Sequence, residues 1–416
     1  MGFGFEPLSL VCEYGCGKAS PMYCPTQKIN SMHTLKPFKG ARAGLLVAGI
    51  LSAALATNVA RASTMTAVRS FSSGPSGAPL VKANDGNFYG IGDGSFYKLT
   101  SAGVYTSVAS WTGGQVNSLI KGSDGNLYGT TWDGGSSSNG TVFKVTTAGT
   151  ISVLASFSSS TTGNAPSSLV QASTGEFYGV TESGGYNGDG TVFKLEYASS
   201  TWTLSSLHDF DSSEAEFPSS LIVGSDGDLY GTAKQGGYYD CGTMFKVSRS
   251  TGSLSVLVDM DVSSWIASAS SPAYLVEKEA GKFVGMTNEG GYYGRGVLFS
   301  YTDQDGFMIH IDLGYYEEDV YEEGYQPNGT PVLGTDGKLY GTMNTGGNFY
   351  STSQGCGTLY RLTFNFTGYN YNYETLHEFS VSNTAGALPK VTLTANGSGS
   401  FYGTTTENDK IFKFTP

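Results

Sequence analysis

Aromatic rings, carboxylates and amides recur in the loops that follow a repeated Tyr-Gly element. The residues concerned are Trp132 and Asp133; Glu182, Tyr186 and Asp189; Lys234, Tyr238, Tyr239 and Asp240; Glu289, Tyr292, Tyr293 and Arg295; and Asn344, Asn348, Phe349 and Tyr350. Rings stack on the apolar faces of sugars while amides and carboxylates take the hydroxyls, so this set suits a carbohydrate-binding rim. The bland alternative is that each aromatic pair packs its loop on a neighbour. Two carboxylates on different repeats, such as Asp133 and Glu289, could act as acid and base on a glycosidic bond. A polysaccharide lyase would need a basic side chain and a group that neutralises the substrate carboxylate, roles open to Lys234, Arg295 and the loop tyrosines.

Other groups read as structural. Acidic residues cluster at Asp209, Asp211, Glu214 and Glu216, and again at Glu317, Glu318, Asp319, Glu322 and Glu323 among Tyr315, Tyr316, Tyr321 and Tyr325. Calcium takes about six to eight oxygens, but neither segment has the Asp-x-Asp-x-Asp-Gly ladder of an EF-hand, so both read as solvated loops. His208 and His377 recur in equivalent Leu-His-Asp/Glu-Phe settings, and with His310 they fall on the outermost strand of a repeat, which argues for a structural role. G-x-S-x-G, Walker, HExxH and dinucleotide fingerprints are absent. No catalytic residue, metal or cofactor is assigned.

The elements that must position these residues come from a repeat. Seven Tyr-Gly elements or variants close at Gly90, Gly129, Gly179, Gly231, Gly285, Gly341 and Gly403, at intervals of 39, 50, 52, 54, 56 and 62 residues. That period suits a four-stranded propeller blade and disfavours helical solenoids. The third unit shows the parts: strand A at Ser167–Ala172, B at Glu176–Thr181, C at Thr191–Leu195 and D at Leu204–Phe210, each rich in β-branched or aromatic residues. Asp85-Gly86, Asp124-Gly125, Asp226-Gly227 and Asp336-Gly337 precede strand B and read as type I′ turns; a calcium role for these aspartates is the sharper alternative. The last unit stops after strand C, and Thr66–Phe71 matches a strand D ending. Placing it on the last blade joins the ring and removes two sheet edges. The expectation is an all-β, seven-bladed β-propeller of four-stranded antiparallel blades, closed by that N-terminal strand. Its long B–C loops and D–A segments share one face, the candidate site. The pair Gly184-Gly185 is expected to hold positive φ that other residues resist.

Residues 43–56 form a 14-residue apolar stretch between Lys36, Lys39 and Arg42 and a small-x-small site at Ala60-Arg61-Ala62. That order reads as a secretory signal over residues 32–62, with residues 1–31 a doubtful extension before a start at Met32, and residues 63–416 as the propeller. An uncleaved anchor is the alternative. Cys12, Cys16 and Cys24 fall in the extension, leaving Cys241 and Cys356 in equivalent loops two blades apart, a separation that disfavours a bridge. The chain carries a formal charge of −12; residues 1–62 hold six Lys or Arg and two Asp or Glu, so the remainder stands at −16. Such a surface disfavours a nucleic-acid partner. No apolar run beyond the leader is long enough to span a membrane as a helix.

The run Gly-Ser-Asp-Gly-Asn-Leu-Tyr-Gly-Thr-Thr at 122–131, with Gly134-Gly135 and Gly140-Thr-Val-Phe-Lys-Val145, resembles the GloVer tandem repeat. That repeat marks bacterial exported proteins called choice-of-anchor tandem repeat GloVer-containing proteins. The likeness spans roughly residues 67–416 and implies an extracytoplasmic repeat protein of a family without an established activity. Members often end in an anchoring segment, whereas this sequence ends on a blade strand. The pattern is also similar, more loosely, to NHL and two-component-regulator sensor propellers, which act mainly as binding or sensing platforms. The expected function is an exported, monomeric scaffold, secreted or periplasmic, binding glycan or protein on its long-loop face. The alternatives are a glycan-cleaving enzyme on that face and a structural cell-surface protein. Because repetition reflects stability, function is expected where repeats differ: Trp132, Asp189, Lys234, Arg295 and the 315–325 insertion.

Overall fold

The computed structural model describes residues 63–71, 79–261, 269–314, 316–317, 320–348, 356–380, 387–389, 392–407 and 410–416. The expected signal at 32–62, its alternatives and the three early cysteines lie outside these residues, as do Tyr315, Glu318, Asp319, Phe349 and Tyr350. Seven antiparallel sheets, one per repeat, form a seven-bladed β-propeller, and the described residues contain strands without helices. In the third blade strand A is split into Asn164–Pro166 and Val170–Ser173, followed by Glu176–Ser183, Thr191–Ala198 and Thr201–Asp209. Strand D begins three residues before the expected Leu204 because Ser199 and Ser200, both at positive φ, make a two-residue turn.

The N-terminal strand Thr64–Ser70 pairs antiparallel with Lys410–Thr415 and is the outermost strand of the seventh blade, as the sequence predicts. Phe71 then packs into the first blade against Tyr97 and Tyr105, at ring separations of 5.4 and 6.2 Å.

The Phe/Leu-Tyr-Gly triplet explains the repeat physically. Its tyrosine meets the first residue of the next blade's triplet: Tyr128–Phe177, Tyr230–Phe283, Tyr340–Phe401 and, across the closure, Tyr402–Phe88, all at 4.4–4.5 Å between ring centroids. Its glycine sits opposite an aromatic residue of strand C in register, as in Gly129↔Phe143 and Gly179↔Phe193. In all seven blades a Cβ on that glycine would come within 3.0 Å of the ring.

The Asp-Gly turns are not type I′. Only the glycines, at φ of +80, +81, +88 and +75 for Gly86, Gly125, Gly227 and Gly337, occupy the left-handed region. The amide of Gly125 donates to Gly122 O (3.0 Å) and Gly122 N to Asn126 O (2.8 Å), a right-handed turn followed by a left-handed glycine. The aspartate is spared positive φ because its carboxylate has other work. Oδ1 of Asp124 accepts the amide of Asn126 (3.0 Å), while Oδ2 accepts Tyr128 Oη (2.9 Å) and Lys144 Nζ (2.9 Å). Asp85, Asp226 and Asp336 hold Tyr89, Tyr230 and Tyr340 likewise. In the third blade, where Thr174 replaces the aspartate, Glu176 takes the tyrosine hydroxyl instead (2.6 Å to Tyr178).

Burial works to raise the Asp124 carboxyl, but donors on Asn126, Lys144 and Tyr128 outweigh it and hold the group well below the usual range. A depressed folded pKa stabilises above the unfolded value of about 3.9 and is lost as pH falls through the folded one. Replacing Asp124 by Asn should therefore cost about 1 kcal/mol at pH 7, a discounted value for a partly exposed group. The gap should narrow as the pH falls from about 4 toward 2, read by urea unfolding; an equal gap at both ends would refute the electrostatic account.

Candidate functional site

In the third, fourth and fifth blades the long B–C loop is turned by a glycine pair and clamped to strand D. Gly184 and Gly185 hold φ of +80 and +82, as expected, and Gly236-Gly237 and Gly290-Gly291 match them. The following amide is then fixed by the last aspartate of strand D: Tyr186 N to Asp209 Oδ1, Tyr238 N to Asp259 Oδ2 and Tyr292 N to Asp312 Oδ1, each 2.9 Å. A side chain on Gly185, Gly237 or Gly291 would collide with that carboxylate. The clamp throws the tyrosine outward, so Tyr186, Tyr238 and Tyr292 are 89%, 85% and 71% exposed. These rings are turned to solvent rather than buried against the neighbouring blade. Tyr239 and Tyr293 stand nearly perpendicular to Tyr238 and Tyr292, 5.0 Å away.

The end of strand B supplies a second tier. Trp132, Glu182, Lys234 and Asn344 occupy equivalent places, and Glu182 and Lys234 of adjacent blades approach to 4.0 Å. Trp132 is 47% exposed and Asn344 half-buried. Asp133 is less free than the sequence suggests, since Oδ1 accepts the amide of Gln115 (2.6 Å). Glu289 is exposed at the end of strand B three blades away, and no contact joins it to Asp133 among the described residues. Arg295 lies 4.3 Å over the ring of Tyr325 in the sixth blade, a contact between blades. Tyr350 lies outside the described residues.

Asp189 and Asp240 flank Glu216 at the start of the fourth blade, whose carboxyl is raised by burial first and then by those two charges. Beside it Phe217 is exposed with φ of +51. That backbone conformation recurs at Ala165, Ser271, Gln326 and Leu388, always before a proline. It aims the amide at the preceding blade: Ala165 to Asn139 O, Ser271 to Cys241 O and Leu388 to Cys356 O, at 2.8–3.1 Å. The prolyl carbonyls complete the latch by accepting from Asn117 and Ser167, and Ser219 does the same to Pro272 O, at 3.1–3.2 Å. Cys241 and Cys356 are both buried.

The candidate face is a crescent. In the first blade the B–C connection is a two-residue turn at Asp93-Gly94, both at positive φ, between paired Gly92 and Ser95. The short first interval of 39 residues was its signal in the sequence. The axis holds a cavity of about 590 Å³ lined from all seven blades, mostly by Ser, Thr and aliphatic residues, with Lys82 and, among the described residues, no carboxylate. The histidines serve the frame: His208 meets Glu214 (2.9 Å) and Gly252 O (3.1 Å), and His310 meets Ser300 (2.8 Å). Burial pushes His310 and His377 down. Among the described residues no group of three His, Cys, Asp or Glu is arranged to hold a metal.

A family model described as the Gloeobacter/Verrucomicrobia repeat matches residues 115–321. No curated protein matches the chain. Among solved structures, a streptogramin B lyase is similar at a TM-score of 0.57 and 14% identity, covering 85% of this chain and 97% of that one. Virginiamycin B lyase from Staphylococcus aureus gives 0.56 and 15%, covering 85% and 99%. The extracellular domain of a hybrid two-component system from B. thetaiotaomicron gives 0.54 and 12%, covering 83% of this chain and 39% of that one. At such identities the likeness carries the propeller fold alone.

Proposed function

We propose that this GloVer repeat-containing protein is an exported, monomeric binding scaffold whose crescent of B–C loops takes a glycan. The observation that carries the reading is the row of clamped, outward tyrosines Tyr186, Tyr238 and Tyr292 on three successive blades. Rings held outward on successive blades can stack on the apolar faces of successive sugars. Trp132 extends the row, while Glu182, Asp189, Lys234, Glu289 and Asn344 supply polar groups for hydroxyls. Export rests on the basic, apolar and small-x-small order of residues 32–62. The acidic surface supports a ligand other than nucleic acid.

Replacing all three tyrosines with alanine is expected to leave thermal stability unchanged, because their rings bury little. It should weaken the strongest hit of a glycan array by roughly a hundredfold, at about 1 kcal/mol per stacked ring. Parent-like affinity in the triple variant would remove the aromatic row from the site. One observation favours an enzyme as the second reading: Glu216, raised by burial beside Asp189 and Asp240, has the environment of a proton donor. Two of the similar propellers are named as lyases. New reducing ends or unsaturated uronates in the same screen would select that reading.

A further inference from the structure

The opposite face holds a second cavity, of about 490 Å³, where the fifth and sixth blades meet. It is built from the A–B turn at Ala280-Gly281, the C–D turn at Asp303–Asp305 and the C–D turn that carries Phe366 and Tyr369. Strand C of the sixth blade runs on to Asn365, as that of the third runs on to Ala198, whereas its equivalent in the fourth stops at Val247. Phe366 and Tyr369 stand 6.2 Å apart at 73° and form an aromatic corner. Phe366 is braced by Phe364 (5.1 Å), and Tyr369 by a stacked His310 (5.8 Å, 14°). The Tyr369 hydroxyl donates to Asp305, whose Oδ2 also accepts Thr302 Oγ1 (3.0 Å). Asp303 accepts Tyr301 Oη (3.2 Å) and is otherwise exposed.

We propose that this cavity is a binding site for a small organic cation of the alkylammonium or quaternary ammonium class. Both rings and the carboxylates of Asp303 and Asp305 line the one cavity, and aromatic π systems beside carboxylates are the combination that such cations recognise. The protein itself shows the preference, because Lys282 Nζ sits 5.4 Å over the Phe366 ring while also pairing with Glu279 (2.9 Å). Lys282 is thus an internal cation lining the cavity. The hydrogen bonds from Tyr369 and then Thr302 hold Asp305 below the ordinary carboxylate range, so it is charged at neutral pH. The site is independent of the tyrosine crescent on the other face.

The test is calorimetric titration of the full chain with benzyltrimethylammonium chloride, with benzyl alcohol as the uncharged comparison. Saturable binding of the cation alone is expected, weakened by at least about tenfold in Asp303→Asn or Asp305→Asn, the scale of one charge-assisted contact. Both amides can keep the hydroxyl contacts, and Asp303 is exposed, so folding is preserved. Lys282→Gln should tighten binding several-fold by removing the competing charge, an outcome that a merely hydrophobic pocket or an anion site would not give. Equal binding of benzyl alcohol, unchanged affinity in both aspartate variants, or weaker binding in Lys282→Gln would each overturn the proposal. Alanine at Tyr186, Tyr238 and Tyr292 should leave this titration untouched, which separates it from the glycan reading.

Discussion

Deleting residues 63–71 is expected to lower the unfolding midpoint by well over 10 °C and to make the protein aggregate. The segment is the fourth strand of the seventh blade, in register from Thr64↔Thr415 to Ser70↔Lys410. Its loss would strip Lys410–Thr415 of a partner and leave an open sheet edge, which invites pairing between chains. The same segment carries Phe71, buried against Tyr97 and Tyr105, and Arg69, 4.3 Å over Tyr105. Truncating a buried phenylalanine alone costs about 3–5 kcal/mol. The ladder hydrogen bonds add to that, and so does the lost tie between last and first blades. Differential scanning calorimetry with size-exclusion chromatography reads both effects. A deletion variant that stays monomeric and melts within about 2 °C of the full chain would show that the ring holds without its closing strand.

That closure was legible because a strand D ending is a local word, and the last repeat lacked one. The blade order was legible for the same reason: each triplet carries its own turn, ring and glycine within a few residues. The turn type was not. Asp-Gly serves two geometries here, a left-handed pair at Asp93-Gly94 and a right-handed turn with a left-handed glycine at Asp124-Gly125. What selects between them is whether the flanking strands pair immediately, as Gly92 and Ser95 do, or the carboxylate is recruited by a tyrosine four residues on. The dipeptide alone does not carry that information. The loop residues were legible by type, but their exposure depends on a strand D aspartate some twenty residues away, as Asp209 is from Tyr186. The engagement of Asp133 is invisible in the sequence because its partner is a backbone amide, that of Gln115, which no side-chain pattern announces. The aromatic corner joins Asp305 to Tyr369 across two blades, a contact that repeat logic hides because it belongs to where the repeats diverge.

Gly179→Val is expected to be the most damaging single substitution in the third blade, costing more than about 3 kcal/mol, within the range for overpacking that also displaces backbone. Gly179 is not among the glycines at positive φ, so backbone freedom does not explain why every repeat keeps a glycine there. Space does. It pairs in register with Phe193, and a Cβ would fall within 3.0 Å both of that ring and of the Ser168 carbonyl on the adjoining strand. The ring is fully buried and held edge-on to Phe157 at 4.9 Å, so it has nowhere to move. The carbonyl lies in the break between the two halves of strand A and beside the axial cavity, so relief by backbone shift would pull the blade off its neighbours. A double-mutant cycle separates the two collisions. Phe193→Leu should recover part of the loss in a Gly179→Ala background, whereas the share due to the Ser168 carbonyl should persist. Additive effects in that cycle, or a Gly179→Val protein that melts with its parent, would mean the glycine is kept for a reason other than the ring above it. A large coupling would instead identify the glycine–aromatic pair as the unit that the repeat preserves, leaving the loops free to vary around it.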